Sequence, residues 1–336
     1  MTSKAAMFGL GALAATALWS AADAAPAPQR PPVDRAQIDR WMTELSNWGK
    51  WGKDDDLGAL NYITPAKRKQ AMALAREGVV VSMQLPMVIQ PKMAEVAADG
   101  KPNGVGYFEI RFRTFPPGDP RGNDGYSSDI QEFAAHGGPN THLDALCHDS
   151  NKKGQLYNGY PLATTVTEKD GCKKLGVDKW STGIVTRGIL VDMSRLKGVQ
   201  HTPGTAAMVS DLEAWEKQTG LKVSPGDALF LYDPGPVGPN GRRMNGGFDI
   251  TVAPWMHARG VALTGGFART PGVVDEPRAD HRLAIAGMGL PLLDGADLSR
   301  LAETAARLNR WEFELVVAPI AAPGGTGSIV NPLAMF

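Results

Sequence analysis

Cysteine is scarce in this chain, and no apolar run reaches the length of a membrane span. Only two cysteines occur among 336 residues, and they do not form a Cys-rich zinc module. Acidic and basic residues are equal in number, 35 of each, which argues against a dedicated nucleic-acid or anionic-membrane partner. No G-x-S-x-G motif occurs, so the nucleophile elbow is excluded. The chain is 43% hydrophobic, enough to bury a sizeable core, and we expect a small-molecule substrate.

The N-terminal residues have the order of a secretory signal. Lys4 precedes an apolar run from Ala5 to about Trp19, and small residues at 22–24 provide a cleavage site. This run is short for a membrane span, although an uncleaved anchor is the competing interpretation. We predict a signal peptide over 1–24, a linker over 25–33 and a single folded domain over 34–336. The protein would be periplasmic or secreted, with no membrane contact after cleavage.

The two cysteines could pair in an oxidising compartment. Cys147 adjoins His148, and Cys172 lies 25 residues further along the chain. We predict two free thiols, with Cys147 a small buried residue. A nucleophilic Cys147 is the alternative, but side chains of adjacent residues usually point apart.

Histidines and a carboxylate are concentrated between residues 136 and 148, which hold three of the six histidines. In an extended segment, His142 and Asp144 leave the same face, so both could bind one ion. A turn could bring His148 back toward that point and leave it free to transfer protons. The Gly-Gly-Pro-Asn loop could bend His136 toward the same ion. Imidazole with carboxylate indicates zinc or manganese rather than calcium.

The run 141–148, Thr-His-Leu-Asp-Ala-Leu-Cys-His, resembles the signature of the cyclase family of metal-dependent hydrolases, which includes bacterial kynurenine formamidase and isatin hydrolase. Further segments resemble the longer branch of that family in the same order, at 47–52 and 55–61, 157–160, 324–328 and 331–332. The resemblance implies an α/β fold of the swivelling β/β/α type, built around a barrel-like mixed sheet. The relatives suggest a homo-oligomer.

The resemblance also implies individual roles. His142 and Asp144 would be metal ligands, and His148 would be the proton-transferring base or acid. In compact members the first ligand His lies four residues before the second, and that place is Gly138 here. Either the loop delivers His136, or water or another group replaces this ligand.

A second metal would depend on His281 and Asp294. Compact formamidases complete a two-metal site with a downstream His and Glu. Here Asp294 takes the place of the Glu, and one extra residue separates it from His281. Residues 265–267 read Gly-Gly-Phe, where relatives lead us to expect an Asp. His281 could instead begin a helix, and Asp294 could lie in a turn. The chain would therefore bind one or two divalent ions.

Four aromatic residues are candidates for substrate binding or for packing. Trp48 and Trp51 lie in a loop rich in Gly and Asp, where one of them could line a pocket. The resemblance suggests that Tyr157 and Tyr160 lie close to the site. Core packing is the commoner role for each of them.

Hydrophobic periodicity predicts alternating helices and strands in one α/β domain with an N-terminal helical arm. Asp34 would cap a helix over 34–46, Thr64 would cap a helix that begins at Pro65, and Asp297 would cap a C-terminal helix. A capping box at 210–213 predicts a helix that Gly220 ends. Apolar runs predict strands at 187–193, 227–232, 261–264 and 313–320.

These features predict metal-assisted hydrolysis of an amide, formamide, lactam or ester bond in a small, aromatic substrate. A bound ion lowers the pKa of its water from about 15.7 toward 7, and His148 would take the water proton and return it to the leaving group. One alternative is a non-catalytic periplasmic metal- or solute-binding protein. Another is a cysteine or serine hydrolase that survives metal removal.

Overall fold

The computed structural model describes residues 33–89, 107–121, 124–137, 140–198, 205–237, 243–267 and 278–336. The predicted signal peptide and nearly all of the predicted linker lie outside these residues. Pro31–Phe336 forms one compact unit. No helix of the described residues is long and apolar enough to cross a membrane.

Seventeen short strands are found in the described residues. In chain order they are β1 (Val80–Ser82), β2 (Phe108–Phe115), β3 (Tyr126–Phe133), β4 (His142–Asp144), β5 (Val166–Thr167), β6 (Gly171–Cys172), β7 (Ile184–Asp192), β8 (Ala206–Ala207), β9 (Ala228–Tyr232), β10 (Pro234–Val237), β11 (Arg243–Asn245), β12 (Gly247–Phe248), β13 (Leu263–Thr264), β14 (Leu292–Asp294), β15 (Glu312–Val317), β16 (Gly327–Ile329) and β17 (Leu333–Met335).

A strongly curled nine-stranded sheet forms the centre of the fold, in the order β1-β17-β15-β7-β9-β13-β14-β4-β16. Strands β7, β9, β13 and β14 run parallel to one another, and the flanking strands pair antiparallel. The sheet is therefore mixed and shaped like a half-barrel. This agrees with the expected α/β class and barrel-like sheet.

Seven α-helices are found in the same part of the chain. They are α1 (Arg35–Glu44), α2 (Pro65–Met72), α3 (Leu162–Thr165), α4 (Val209–Thr219), α5 (Ala253–Arg259), α6 (Ala279–His281) and α7 (Ser299–Leu308). Short 3₁₀ helices occur at Gly58–Tyr62, Tyr157–Gly159, Val177–Trp180, Met193–Arg195 and Ile250–Val252, and a π-helix at Arg282–Met288.

Several local predictions from the sequence are confirmed. Asp34 caps α1 by accepting a hydrogen bond from the Gln37 backbone N–H at 2.7 Å. Thr64 caps α2 in the same way, with Pro65 in the first turn. Gly220 ends α4 in the left-handed conformation, with φ of 75°.

Other boundaries differ from the predictions. Helix α4 begins at Val209, so the capping box lies two positions before the predicted one, and the Asp211 carboxylate accepts from the Met208 N–H at 2.8 Å. Helix α7 begins at Ser299, whose N–H donates to Asp297 at 3.0 Å. The predicted strand over 313–320 ends at Val317, because the chain beyond that point no longer pairs with β7.

A buried ion cluster fixes α2 to the centre of the sheet. Asp227 is fully buried just before β9 and accepts hydrogen bonds from Lys67 of α2 at 2.8 Å and from Arg187 of β7 at 2.6 and 2.9 Å. The Ser224 backbone N–H donates a further bond at 2.8 Å. Because the carboxylate is surrounded by donors, its burial is compensated, and losing the carboxylate would leave the buried Lys67 without an ion pair.

Candidate metal centre

The candidate metal centre is built on β4, which lies between β14 and β16. Successive side chains of a strand point to opposite faces, so His142 and Asp144 share one face and Leu143 points to the other. The register with β14 places Asp294 directly opposite His142. The neighbouring strand therefore brings a second carboxylate to the same face.

The loop before β4 delivers His136 to this face. Its Nδ1 lies 2.8 Å from Asp144 Oδ1, and its Nε2 lies 2.9 Å from Thr326 Oγ1. Gly327 of β16 pairs with Asp144 of β4. It makes room for the ring, because a Cβ at that position would lie 2.6 Å from His136 Cε1. His136 is thus placed where it could act as a ligand, and that role stays a prediction.

Three side chains at this point can hold a metal ion. His136, His142 and Asp144 each offer one ligand atom, and these atoms lie within 4.8 Å of one another. His142 Nδ1 donates to the backbone carbonyl of Asn140 at 2.9 Å. A carbonyl only accepts, so Nδ1 carries a hydrogen, and in the neutral imidazole Nε2 is the nitrogen with the lone pair. Nε2 lies 3.5 Å from Asp144 Oδ1.

The residues present fit a divalent ion. Asp144 is 1% exposed, and its Oδ2 has no hydrogen-bond partner among the described residues. A buried carboxylate oxygen without a partner carries a desolvation cost that a cation would remove. Two imidazoles and one carboxylate are a donor set that suits zinc or manganese.

Asp144 also belongs to a second group of possible ligands, with His281 and Asp294. His281 Nε2 lies 3.2 Å from Asp294 Oδ2 and 3.9 Å from Asp144 Oδ2. Gly266 stands where an Asp was expected from the relatives, and a Cβ there would lie 2.8 Å from Asp294 Oδ1. The glycine thus leaves the space that the Asp294 side chain fills.

Opposing effects set the protonation states of the two groups. Burial alone would raise the pKa of Asp144, but the hydrogen bond from His136 and the nearby histidines outweigh it and lower the pKa to about 2. Burial would likewise lower the pKa of His281, but Asp280 and Asp294 outweigh it and raise the pKa to about 10. An ion in the second group must therefore displace a proton from His281, since only the neutral imidazole is a ligand.

His148 lies beside the first group but is turned toward an arginine. Its ring stacks on His136 with centroids 3.7 Å apart, and its Nε2 lies 3.9 Å from Asp144 Oδ1. Burial, with the charge of Arg278 among the smaller causes, lowers the pKa of His148 to about 3. The Arg278 Nη2 group donates to His148 Nε2 at 2.9 Å, so this nitrogen is an unprotonated acceptor.

Arg278 and Asp149 are site residues that sequence reasoning missed. Arg278 Nε and Nη2 donate to Asp149 Oδ2 at 3.0 and 2.8 Å. Asp149 directly follows His148, and this adjacency to the motif was a signal that could have identified it as a site residue. Arg278 is 130 positions from His148, and neither its spacing nor its neighbours connect it to the motif.

The prediction of two free thiols is wrong. Cys147 and Cys172 form a disulfide, with their Cα atoms 6.3 Å apart. The cause is the loop before β16, which binds both segments: Cys172 N–H donates to the Gly324 carbonyl and Ala145 N–H to the Thr326 carbonyl, each at 2.9 Å. A bonded sulfur is no nucleophile, which argues against the alternative of a catalytic Cys147.

The four aromatic candidates for substrate binding all have structural partners. Trp48 Nε1 donates to the Ala286 carbonyl at 2.6 Å, and Trp51 packs edge-on against a tyrosine ring with centroids 5.0 Å apart. The hydroxyl of buried Tyr157 donates to Asp55 at 3.0 Å, and that of Tyr160 donates to a backbone carbonyl at 3.0 Å. In the described structure these hydrogen bonds do not reach the His/Asp cluster, and substrate contact by the four residues stays a prediction.

Comparisons with known proteins agree with this picture. Residues 66–266 match the family model Cyclase, whose description is "Putative cyclase". A crystal structure of a novel cyclase is 27% identical, with a TM-score of 0.72, over 87% of this chain and 98% of that one. Isatin hydrolase A from Labrenzia aggregata, bound to benzyl benzoate, is 18% identical, with a TM-score of 0.50, over 79% and 97% of the two chains; this likeness shows the fold alone. No curated protein sequence matches significantly.

Proposed function

This chain belongs to the cyclase family, and we propose that it is a metal-dependent hydrolase of an amide, formamide, lactam or ester bond in a small aromatic substrate. The swivelling β/β/α form of the fold is part of this proposal. The observation that carries it is the buried Asp144, whose Oδ2 has no hydrogen-bond partner among the described residues. Histidines lie on both sides of this carboxylate, with His136 and His142 near Oδ1 and His281 Nε2 3.9 Å from Oδ2, as expected for a cation site.

His136, His142 and Asp144 would hold the ion, zinc or manganese. Asp294 and His281 would hold a second one, with Asp144 shared between the two groups. A divalent ion bound there supplies Lewis-acid polarisation of a carbonyl and makes water acidic enough to react at neutral pH.

The protein's own side chains would orient the ligands and move the proton. The Asn140 carbonyl fixes the ring of His142, and the Thr326 hydroxyl fixes the ring of His136; such outer partners tune ligand geometry. His148 takes a proton at Nε2 and returns it to the leaving nitrogen or oxygen, a contribution of typically ~10² to 10⁴ in rate. Its Nε2 lone pair is occupied by the Arg278 hydrogen bond in this structure, so this contact must open before the nitrogen accepts a proton.

Turnover measurements on matched variants test this function. The panel would contain aryl formamides, isatin and aryl esters, each with and without prior chelation. We expect metal-dependent hydrolysis that Asp144→Asn and His148→Ala abolish or reduce by ~10² or more. Asp39→Asn is the control, because that carboxylate is 57% exposed and pairs only with Lys152 among the contacts found. Hydrolysis that survives complete metal removal would reject the proposal in favour of a covalent nucleophile.

We also propose export to an oxidising compartment. The Cys147–Cys172 disulfide supports this location, since such bonds persist in the periplasm and outside the cell and are rare in the cytosol. Intact mass of protein recovered from the periplasmic fraction is the test. A chain beginning near Ala25 is expected, and a chain that retains residues 1–24 would reject cleavage.

A further inference from the structure

Arg278 is a permanent cation placed beside His148 without a role in holding the ion. Its guanidinium group contacts Asp149 through Nε and Nη2, and His148 Nε2 through Nη2. Its side chain is 49% exposed. For Nη1, no hydrogen-bond partner is found in the described part of the chain. One edge of the guanidinium, formed by Nε and Nη2, is therefore held by Asp149, and Nη1 is left as a donor on a side chain that is half exposed.

The two contacts have different consequences. Asp149 fixes the orientation of the guanidinium without using Nη1. The contact with His148 occupies the nitrogen that the proposed function needs as a proton acceptor, because a guanidinium only donates hydrogen bonds. For His148 to work as a base at Nε2, the Nη2 hydrogen must find another acceptor.

A carboxylate meets that requirement. Its two oxygens match the Nη1 and Nη2 donors of an arginine in a bidentate pair. Such a pair would draw the Nη2 hydrogen from His148 while Asp149 still held Nε. A neutral amide or ester oxygen is a weaker acceptor and lacks the second charged oxygen.

We propose that Arg278 is a binding subsite for a carboxylate carried by the substrate next to the bond that is cleaved, and that this pairing frees His148 Nε2. The substrate class would be small aromatic acids with an acylated amine or hydroxyl, such as an acylaminobenzoate. This inference rests on the proposed function for its reaction, but the carboxylate subsite itself is a property of binding.

Binding of benzoate and of benzamide tests the subsite without turnover. The two probes share a ring and differ in charge, and calorimetry would measure both on the full mature chain, metal-loaded and chelated. We expect benzoate to bind ~10- to ~100-fold more tightly than benzamide, as for a charge-assisted hydrogen bond. Arg278→Met should remove this preference, and Arg278→Lys should keep part of it, since lysine retains charge without the planar fork.

Arg121→Met is the matched control. Arg121 contacts Asp119 through Nε and Nη2 at 2.9 and 2.8 Å, as Arg278 contacts Asp149, but on an exposed segment. We expect Arg121→Met to bind benzoate like the wild type. A benzoate preference that Arg278→Met leaves unchanged, or that Arg121→Met reduces equally, would overturn the subsite.

Kinetics then test the coupling to His148. With 2-formamidobenzoate, Arg278→Met should raise KM at least ~10-fold, and kcat/KM should fall at least ~10-fold more for this substrate than for formanilide, which has no carboxylate to pair with Arg278. An equal loss on both substrates would overturn the coupling. If no substrate is hydrolysed and no metal is bound, yet benzoate binding depends on Arg278, the proposed function fails and the subsite stands.

Discussion

Gly327→Ala provides a direct test of how His136 reaches the metal centre. An added Cβ would lie 2.6 Å from both His136 Cε1 and the Leu143 carbonyl oxygen, well inside ordinary contact distance. The carbonyl belongs to β4, which is paired on both sides, so the His136 ring is the part that can move. A shift of the ring breaks its 2.8 Å contact with Asp144 and its 2.9 Å contact with Thr326.

We expect Gly327→Ala to weaken zinc affinity by ~10- to ~100-fold, the range seen when the orientation of a ligand is disturbed. Overpacking against β4 should also lower the free energy of unfolding by ~1–3 kcal/mol. Competition with a chromophoric chelator measures the affinity, and urea unfolding measures the stability.

The double variant separates the ring from the rest of the site. In a His136→Ala background there is no ring to displace, so Gly327→Ala should then cost little further zinc affinity. An undiminished loss in that background would show that the substitution acts through β4 itself. Unchanged zinc affinity in the single variant would remove His136 from the ligand set.

Three further predictions concern stability. Asp227→Ala should lower the free energy of unfolding by ~3–5 kcal/mol, because it leaves the buried Lys67 without an ion pair and Arg187 with Glu312 alone. Exposed Asp39→Ala should change it by less than ~0.5 kcal/mol, and urea unfolding of both variants compares them. Burial opposes the charge of Glu216, but Lys222, Arg259 and a backbone N–H outweigh it and lower the Glu216 pKa. Its contribution is therefore present above the unfolded pKa of ~4.3 and lost as pH falls through the lower folded value. Glu216→Gln should cost ~2 kcal/mol at pH 7 and progressively less as pH falls below ~4.3; a cost that does not change with pH would contradict this reasoning. Replacing both cysteines by alanine should lower the free energy of unfolding by ~2–4 kcal/mol. In thermal unfolding, a reductant should destabilise the wild type by the same amount and should leave the variant unchanged.

The parts of the site that follow from local spacing were predictable. His142 and Asp144 are two residues apart on a strand, so strand geometry alone places them on one face. Asp34 and Thr64 have side chains that cap helices wherever the following residues are helical, and both do so. In each case the interaction spans only a few residues, and the neighbouring sequence determines it.

The remainder depends on contacts between distant segments. The disulfide requires the loop at 324–326, which holds the two cysteine segments together, and nothing near either cysteine indicates that loop. Arg278 reaches His148 from the start of α6, 130 positions away. The Gly-Gly-Phe segment at 265–267 stands where an Asp was expected, and the sequence does not indicate that Gly266 provides the room that Asp294 occupies.

Metal content per chain tests the central claim most directly. Elemental mass spectrometry would be applied to the mature protein purified without a histidine tag or chelator, alongside Asp144→Asn. We predict one or two zinc or manganese ions per chain in the wild type and a marked loss in the variant, because Asp144 belongs to both ligand groups. No metal in the wild type, even after incubation with both ions, would contradict the account and leave a binding protein as the better description.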